Sequence, residues 1–239
     1  MVIQEFALKI KTEIQKVIVG QDDVIEQIII SFLAGGHVIL EGVPGLAKTI
    51  LARAFSRIIG IEFNRIQFTP DLMPSDILGT NIFSLEKSRF IFRKGPVFTN
   101  ILLADEINRT SPKTQAALLE IMQEKQVTVD GIRYEVPLPF MVIATQNPIE
   151  FEGTYPLPEA QLDRFLMKIL VTYPDREQEI EVLKKFRDGF NSDDLEEIKF
   201  PKINMSAYGQ CRKEFSRIRV EDNIVNYIMN VAESTRRHK

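Results

Sequence analysis

Gly42-Val43-Pro44-Gly45-Leu46-Ala47-Lys48-Thr49 is the stretch on which the fold turns. Ahead of it, His37-Val38-Ile39-Leu40-Glu41 is an apolar, β-rich run bounded by Gly35-Gly36. Behind it, Ile50-Leu51-Ala52-Arg53-Ala54-Phe55 carries apolar residues at helical spacing. The pattern predicts a strand, a glycine-containing turn and a helix N-terminus. There, backbone N–H groups and the positive end of the helix dipole converge on phosphate oxygens, Lys48 reaches the β and γ phosphates, and the Thr49 hydroxyl ligates Mg²⁺. The stretch is therefore read as holding a nucleoside triphosphate, with Gly42, Val43, Pro44, Gly45, Leu46, Ala47, Lys48, Thr49 and Ile50 as binding residues. Ala47 stands where the G-x-x-x-x-G-K-[ST] pattern has its second glycine, and its methyl group calls for a negative φ there.

Working outward, residues 3–17 and 22–34 show helical spacing, broken at Val19-Gly20-Gln21, with Asp22 as the expected N-cap. Strand-like runs recur at Phe63–Phe68, Ile101–Ala104, Met141–Thr145 and Met167–Val171, with helical stretches such as Gln115–Glu124 between them. This alternation predicts an α/β fold, a P-loop core on a mostly parallel sheet. Two hairpins interrupt it. One runs from Asn81 to Arg93, and the other, near 127–136, turns on Asp130-Gly131. They serve either as edge strands covering the core or in handling a substrate. Beyond Tyr173-Pro174-Asp175 the pattern is helical, passes through a polar stretch from Asp188 to Pro201, and resumes over 205–215 and 221–236. The expected division is an α/β nucleotide-binding core over 1–172 and a small all-α part over 173–239.

Composition narrows the functional classes. The 239 residues are 44% hydrophobic and 26% charged, with a net charge of −3, a soluble balance without a general attraction for nucleic acid. The single cysteine, Cys211, allows no intrachain disulfide and no cysteine zinc cluster. The N-terminus lacks a secretory pattern and no run has the length of a membrane span, so the expected location is cytoplasmic. His37 and His238 have no ligand partners at metal spacing, and Mg²⁺ is the one metal implied.

Ile101-Leu102-Leu103-Ala104-Asp105-Glu106 is an apolar strand ending in two carboxylates. Asp105 is suited to holding Mg²⁺. Glu106, one residue on and pointing elsewhere, is suited to act as general base on an attacking water.

The phosphate loop, Asp105-Glu106-Ile107-Asn108-Arg109, Ala144-Thr145-Gln146-Asn147-Pro148 and Pro158-Glu159-Ala160-Gln161-Leu162-Asp163-Arg164-Phe165 occur in this order. In that order they resemble the AAA+ ATPases and, within them, the MoxR family, over nearly the whole chain. The resemblance implies ATP with Mg²⁺ as ligand and hydrolysis as the reaction. Ala47 is similar to that family's usual variant of the loop. Asn147 resembles the sensor 1 residue that orients water or touches the γ-phosphate, although an Asn before Pro148 is also an ordinary turn former. Arg164 resembles the arginine finger that acts on a neighbouring subunit's γ-phosphate; the alternative is a surface Arg pairing with Asp163 or Glu159. Val19, Gly20 and Gln21 match the segment lying along the adenine, and also suit a plain interhelical turn. Arg109 has a possible place facing a neighbouring subunit.

The family further implies a homo-oligomeric ring, commonly a hexamer. It implies work on protein partners, often von Willebrand factor A domain proteins, in a chaperone-like role. Its lid ordinarily carries a Gly-Ala-Ser-Pro-Arg-like motif bearing the sensor 2 arginine, which does not occur before Lys239, so the helical part reads as a partial lid. Two other readings stay open: a nucleotide-gated binding scaffold with little turnover, and a nucleic-acid translocase, which the charge balance disfavours.

Overall fold

The structure, a computed structural model, describes residues 2–148, 153–190, 198, 200, 201, 203 and 205–238. Most of the polar stretch expected over 188–201 lies outside the described residues. Two helices open the chain, α1 (Val2–Gln15) and α2 (Asp22–Ala34), followed by β1 (Val38–Glu41), α3 (Lys48–Ile59), β2 (Phe63–Gln67) and α4 (Pro74–Leu78). Then come β3 (Gly79–Ser84), β4 (Arg89–Lys94), β5 (Ile101–Asp105), a 3₁₀ turn (Ile107–Arg109) and α5 (Pro112–Glu124). The remainder is β6 (Gln126–Val129), β7 (Ile132–Glu135), β8 (Met141–Gln146), α6 (Glu159–Leu162), β9 (Met167–Leu170), α7 (Arg176–Arg187), α8 (Met205–Phe215) and α9 (Asp222–Arg237).

Five strands form one parallel sheet in the order β2-β5-β8-β1-β9. Such a sheet is covered on both faces, which is why β5 and β8 read as continuous apolar runs rather than alternating ones: Ile101 to Ala104 and Met141 to Ala144 are all buried. One face packs on α1, α2 and α3 through Ile10, Ile14, Ile25, Phe32, Phe55 and Ile58. The other packs on α4 and α5 through Ile77, Leu118, Ile121 and Met122. The two hairpins, β3-β4 and β6-β7, stand outside the sheet as antiparallel pairs.

The sheet order decides where chemistry is possible. Because β8 lies between β5 and β1, the carboxyl ends of three adjacent strands carry Gly42, Asp105 and Asn147, and ligands of open α/β sheets bind at that edge.

α8 packs back onto α1 and α2. Cys211 lies in their core, Arg212 Nη1 donates to the Leu33 carbonyl at 2.8 Å, and the Ile3 N–H donates to Glu214 at 3.1 Å. α9 has no buried residue. Among the described residues no helix is long and apolar enough to cross a membrane.

The expected N-cap at Asp22 is corrected. Gln21 is the cap residue, left-handed at φ 60°, and Asp22 is the first helical residue, accepting from Gln15 Nε2 at 2.6 Å. The consecutive left-handed residues Gly20 and Gln21 reverse the chain, and the Gln21 amide donates to the Thr172 carbonyl at 2.7 Å.

Candidate functional site

A cavity of about 730 Å³ lies between the phosphate loop, the ends of β5 and β8, the α1–α2 turn and α7. Its size suits a nucleotide. Of the residues singled out in the sequence, Val19, Gln21, Pro44, Gly45, Leu46, Ala47, Lys48, Thr49, Ile50, Asp105, Glu106 and Asn147 all line it. Gly20, Gly42, Val43 and Arg164 do not.

Gly42 supports the loop from behind. A Cβ there would come within 2.5 Å of the Val171 carbonyl oxygen, so a side chain would push β1 off the residue that follows β9. Its own carbonyl accepts from Lys48 Nζ at 2.6 Å. The negative φ expected at Ala47 is corrected: Ala47 is left-handed, at φ 55° and ψ 18°. It is the N-cap of α3, and its carbonyl accepts the Leu51 N–H at 2.9 Å, so the loop passes into the helix within one residue. A methyl-bearing residue in that region costs roughly 1–2 kcal/mol, a strain tolerated where the surrounding structure fixes the backbone.

Lys48 is half-buried. Burial pulls its ammonium below the usual lysine range, and Asp105 and then Glu106 oppose that pull by favouring the charged form. The basic and acidic groups therefore feel one another across the cavity.

The carboxylates are tightly partnered. Asp105 Oδ1 accepts from the Thr145 hydroxyl at 2.6 Å, and Oδ2 accepts from Arg65 Nη2 at 2.7 Å and Nε at 3.1 Å. Glu106 Oε2 accepts from Arg109 Nη1 at 2.9 Å and Gln67 Nε2 at 2.7 Å. Arg109, considered as facing a neighbouring subunit, thus reaches Glu106 within its own chain. Glu106 is itself left-handed, at φ 57° and ψ 49°, which turns its side chain off the line of β5. Buried Asn147 follows the end of β8, two residues beyond Thr145.

Arg164 lies elsewhere. It is exposed in the turn after α6, its N–H donates to the Gln161 carbonyl at 3.2 Å, and among the described residues it forms no ion pair with Asp163 or Glu159. His37 is a core residue. Its Nδ1 accepts the Val142 N–H at 2.9 Å and its Nε2 lies 3.1 Å from the Met122 carbonyl, which fixes the proton on Nε2.

Sequence reasoning missed the far wall. Tyr173, Val182, Leu183, Phe186 and Phe190 close the cavity with apolar surface opposite the loop. Leu183, Phe186 and Phe190 recur at helical spacing along and just beyond α7, a helix otherwise so polar that it buries no residue. The signal was present as that stripe. It is weak because a wall facing a cavity, rather than the core, leaves Leu183 68% exposed.

The residues fit a nucleotide with a divalent cation: a cation and loop N–H groups for phosphate, a hydroxyl and two carboxylates for the metal, an apolar slot for a base.

Comparison with known proteins agrees with this geometry. Residues 37–167 match the family described as ATPase family associated with various cellular activities (AAA). The chain is 48% identical to protein YeaC of Bacillus subtilis, over 94% of this chain and 69% of YeaC. It is 46% identical to Chaperone MoxR1 of Mycobacterium tuberculosis, over 94% of this chain and 58% of MoxR1. A crystal structure from Cytophaga hutchinsonii, an ATPase by assignment, superposes with a TM-score of 0.85 at 44% identity, over 98% of this chain and 71% of that one. The chain thus spans between about six-tenths and seven-tenths of the length of these relatives. The family match covers β1, β2, β5 and β8 of the parallel sheet with the phosphate loop and carboxylate pair, so the chain belongs to the AAA+ ATPases, in the MoxR family.

Proposed function

We propose that this chain binds ATP with Mg²⁺ in the cavity between the phosphate loop and α7, hydrolyses it, and uses the cycle to remodel or assemble protein partners. One observation carries the reading: three adjacent strands deliver the loop, the Asp105-Glu106 pair and Asn147 to one cavity. Residues 1–172 serve as the nucleotide-binding core and 173–239 as part of a helical lid.

Loop N–H groups and Lys48 hold the phosphates, and Val19, Gln21 and the aromatic wall enclose the base. Thr49 and Asp105 hold the Mg²⁺, which when bound offsets phosphate charge. Glu106 accepts the proton of the attacking water, and Asn147 orients that water. For Glu106 to act, its carboxylate exchanges Arg109 and Gln67 for the water, a rearrangement available to half-exposed partners.

Arg164 is exposed and does not line the cavity of its own chain, which suits action on the site of a neighbouring subunit. The cycle therefore belongs to a ring, with a hexamer as the family's usual number. MoxR1 is named a chaperone, which favours protein partners, and von Willebrand factor A domain proteins are the class proposed here.

The test combines phosphate release, with and without Mg²⁺, and mass by light scattering with a slowly hydrolysed ATP analogue. Mg²⁺-dependent release together with nucleotide-dependent assembly is the expected result. Binding and assembly without release would favour a nucleotide-gated scaffold.

A further inference from the structure

Thr145 is almost wholly buried at the end of β8, between the two carboxylate-bearing residues and Asn147. Its hydroxyl oxygen accepts the Glu106 backbone N–H at 2.9 Å, and its proton goes to Asp105 Oδ1 at 2.6 Å. One hydroxyl therefore fixes the backbone of one carboxylate residue and the side chain of the other. It acts where the backbone resists: Glu106 is left-handed, a conformation costing an ordinary residue roughly 1–2 kcal/mol.

We propose that Thr145 is a positioning residue, which holds Glu106 in its left-handed turn, presents Asp105 to the metal, and couples both to the segment carrying Asn147. The proposal rests on the reading of Asp105 as a metal-holding group. The direction of the hydroxyl proton follows from its partners. The Glu106 N–H can only donate, so the hydroxyl is free to donate to Asp105, and this leaves lone-pair capacity on Oδ1. Arg65 holds Oδ2 at 2.7 Å, so both oxygens of Asp105 are oriented, one from β8 and one from β2. Thr145 is in β8 and Asn147 follows two residues later, just past the strand end, so a shift at Asn147 is transmitted along one short segment to Thr145 and from there to Glu106.

The test uses Thr145→Val, which keeps the shape and removes the hydroxyl, and Thr145→Ser, which keeps the hydroxyl. Amide exchange at Glu106 is followed by NMR, and binding of a fluorescent ATP analogue is titrated against Mg²⁺. In Thr145→Val, Glu106 exchange accelerates at least ~10-fold and half-saturating Mg²⁺ rises ~10–100-fold, while Mg²⁺-free nucleotide affinity stays within about twofold. Thr145→Ser restores the first two and likewise leaves the third unchanged.

A Thr145→Val protein with wild-type exchange and wild-type Mg²⁺ response overturns the proposal, as does a serine variant that fails like the valine one. If the valine variant does not fold, the wild type decides: a Glu106 amide exchanging as fast as an open loop amide overturns it. Nucleotide binding indifferent to Mg²⁺ in the wild type would instead remove the metal role of Asp105, with Glu106 exchange still deciding whether Thr145 holds that turn.

Discussion

The Phe92 ring stacks on the Tyr134 ring, with centroids 4.2 Å apart and an interplanar angle of 25°, and so joins the β3-β4 hairpin to the β6-β7 hairpin. Asn81 adds a second link by donating to Asp130. The two insertions, separated by a strand and a helix in sequence, form one unit. Beyond the joint, Phe83, Leu85 and Phe90 remain exposed at the outer hairpin's far end. A double-mutant cycle of Phe92→Ala and Tyr134→Ala, read by urea unfolding, is expected to give a coupling of about 1 kcal/mol. Strict additivity would mean that the stack holds nothing together.

Glu106→Gln keeps an oxygen acceptor for Arg109 and Gln67 and removes the basic carboxylate. Steady-state phosphate release should fall by about 10²–10⁴-fold, with nucleotide affinity within about threefold of wild type. Equal release by the two proteins would take the general-base role away from Glu106.

Arg164→Ala and Glu106→Gln are each expected to be nearly inactive alone, through different subunits of one interface. Mixing them should recover activity, because some interfaces then pair an intact Glu106 with an intact Arg164 from the next chain. A mixture as inactive as its parts would place Arg164 outside the reaction.

His37 makes stability depend on pH. Burial dominates its environment and lowers its pKa from 6.5 to about 4, the Met122 carbonyl partly opposing and Lys125 adding to the depression. Above pH 6.5 the ring is neutral both folded and unfolded, and its contribution is complete. As pH falls from 6.5 toward 4, the unfolded chain takes up a proton that the folded chain refuses, so stability declines, by about 2 kcal/mol between pH 7 and 5. His37→Gln, which offers an acceptor and a donor but does not titrate, should flatten that part of the profile in urea unfolding. Parallel profiles for the two proteins would refute the assignment.

Much of this was legible before any coordinates. β1, β5 and β8 announced themselves as unbroken apolar runs because both faces of a parallel sheet are buried. The Asp130-Gly131 turn marked its hairpin through the left-handed conformation both residues adopt. Lys48 and Thr49 could be placed because their spacing follows from the strand-turn-helix unit, and Asp105 and Glu106 because they end the apolar run that forms β5. What stayed hidden depended on contacts remote in sequence. The partners of Asp105 come from β2 and β8, 40 residues away on either side, and local patterning does not carry that separation. Ala47 misled for a related reason. Propensity argues for a negative φ, and the tertiary demand of the loop outweighs it.

The central claim is that the phosphate loop and the carboxylate pair hold one ATP·Mg²⁺ between them. Calorimetric titration with a slowly hydrolysed ATP analogue, with and without Mg²⁺, tests it most directly on the wild type, Lys48→Met and Asp105→Asn. One nucleotide per chain is the expected stoichiometry, with Mg²⁺ tightening binding to the wild type but not to Asp105→Asn, and Lys48→Met weakening it at least ~100-fold, about 2.7 kcal/mol. Absence of nucleotide uptake by the wild type, or undiminished affinity in Lys48→Met, would contradict the account.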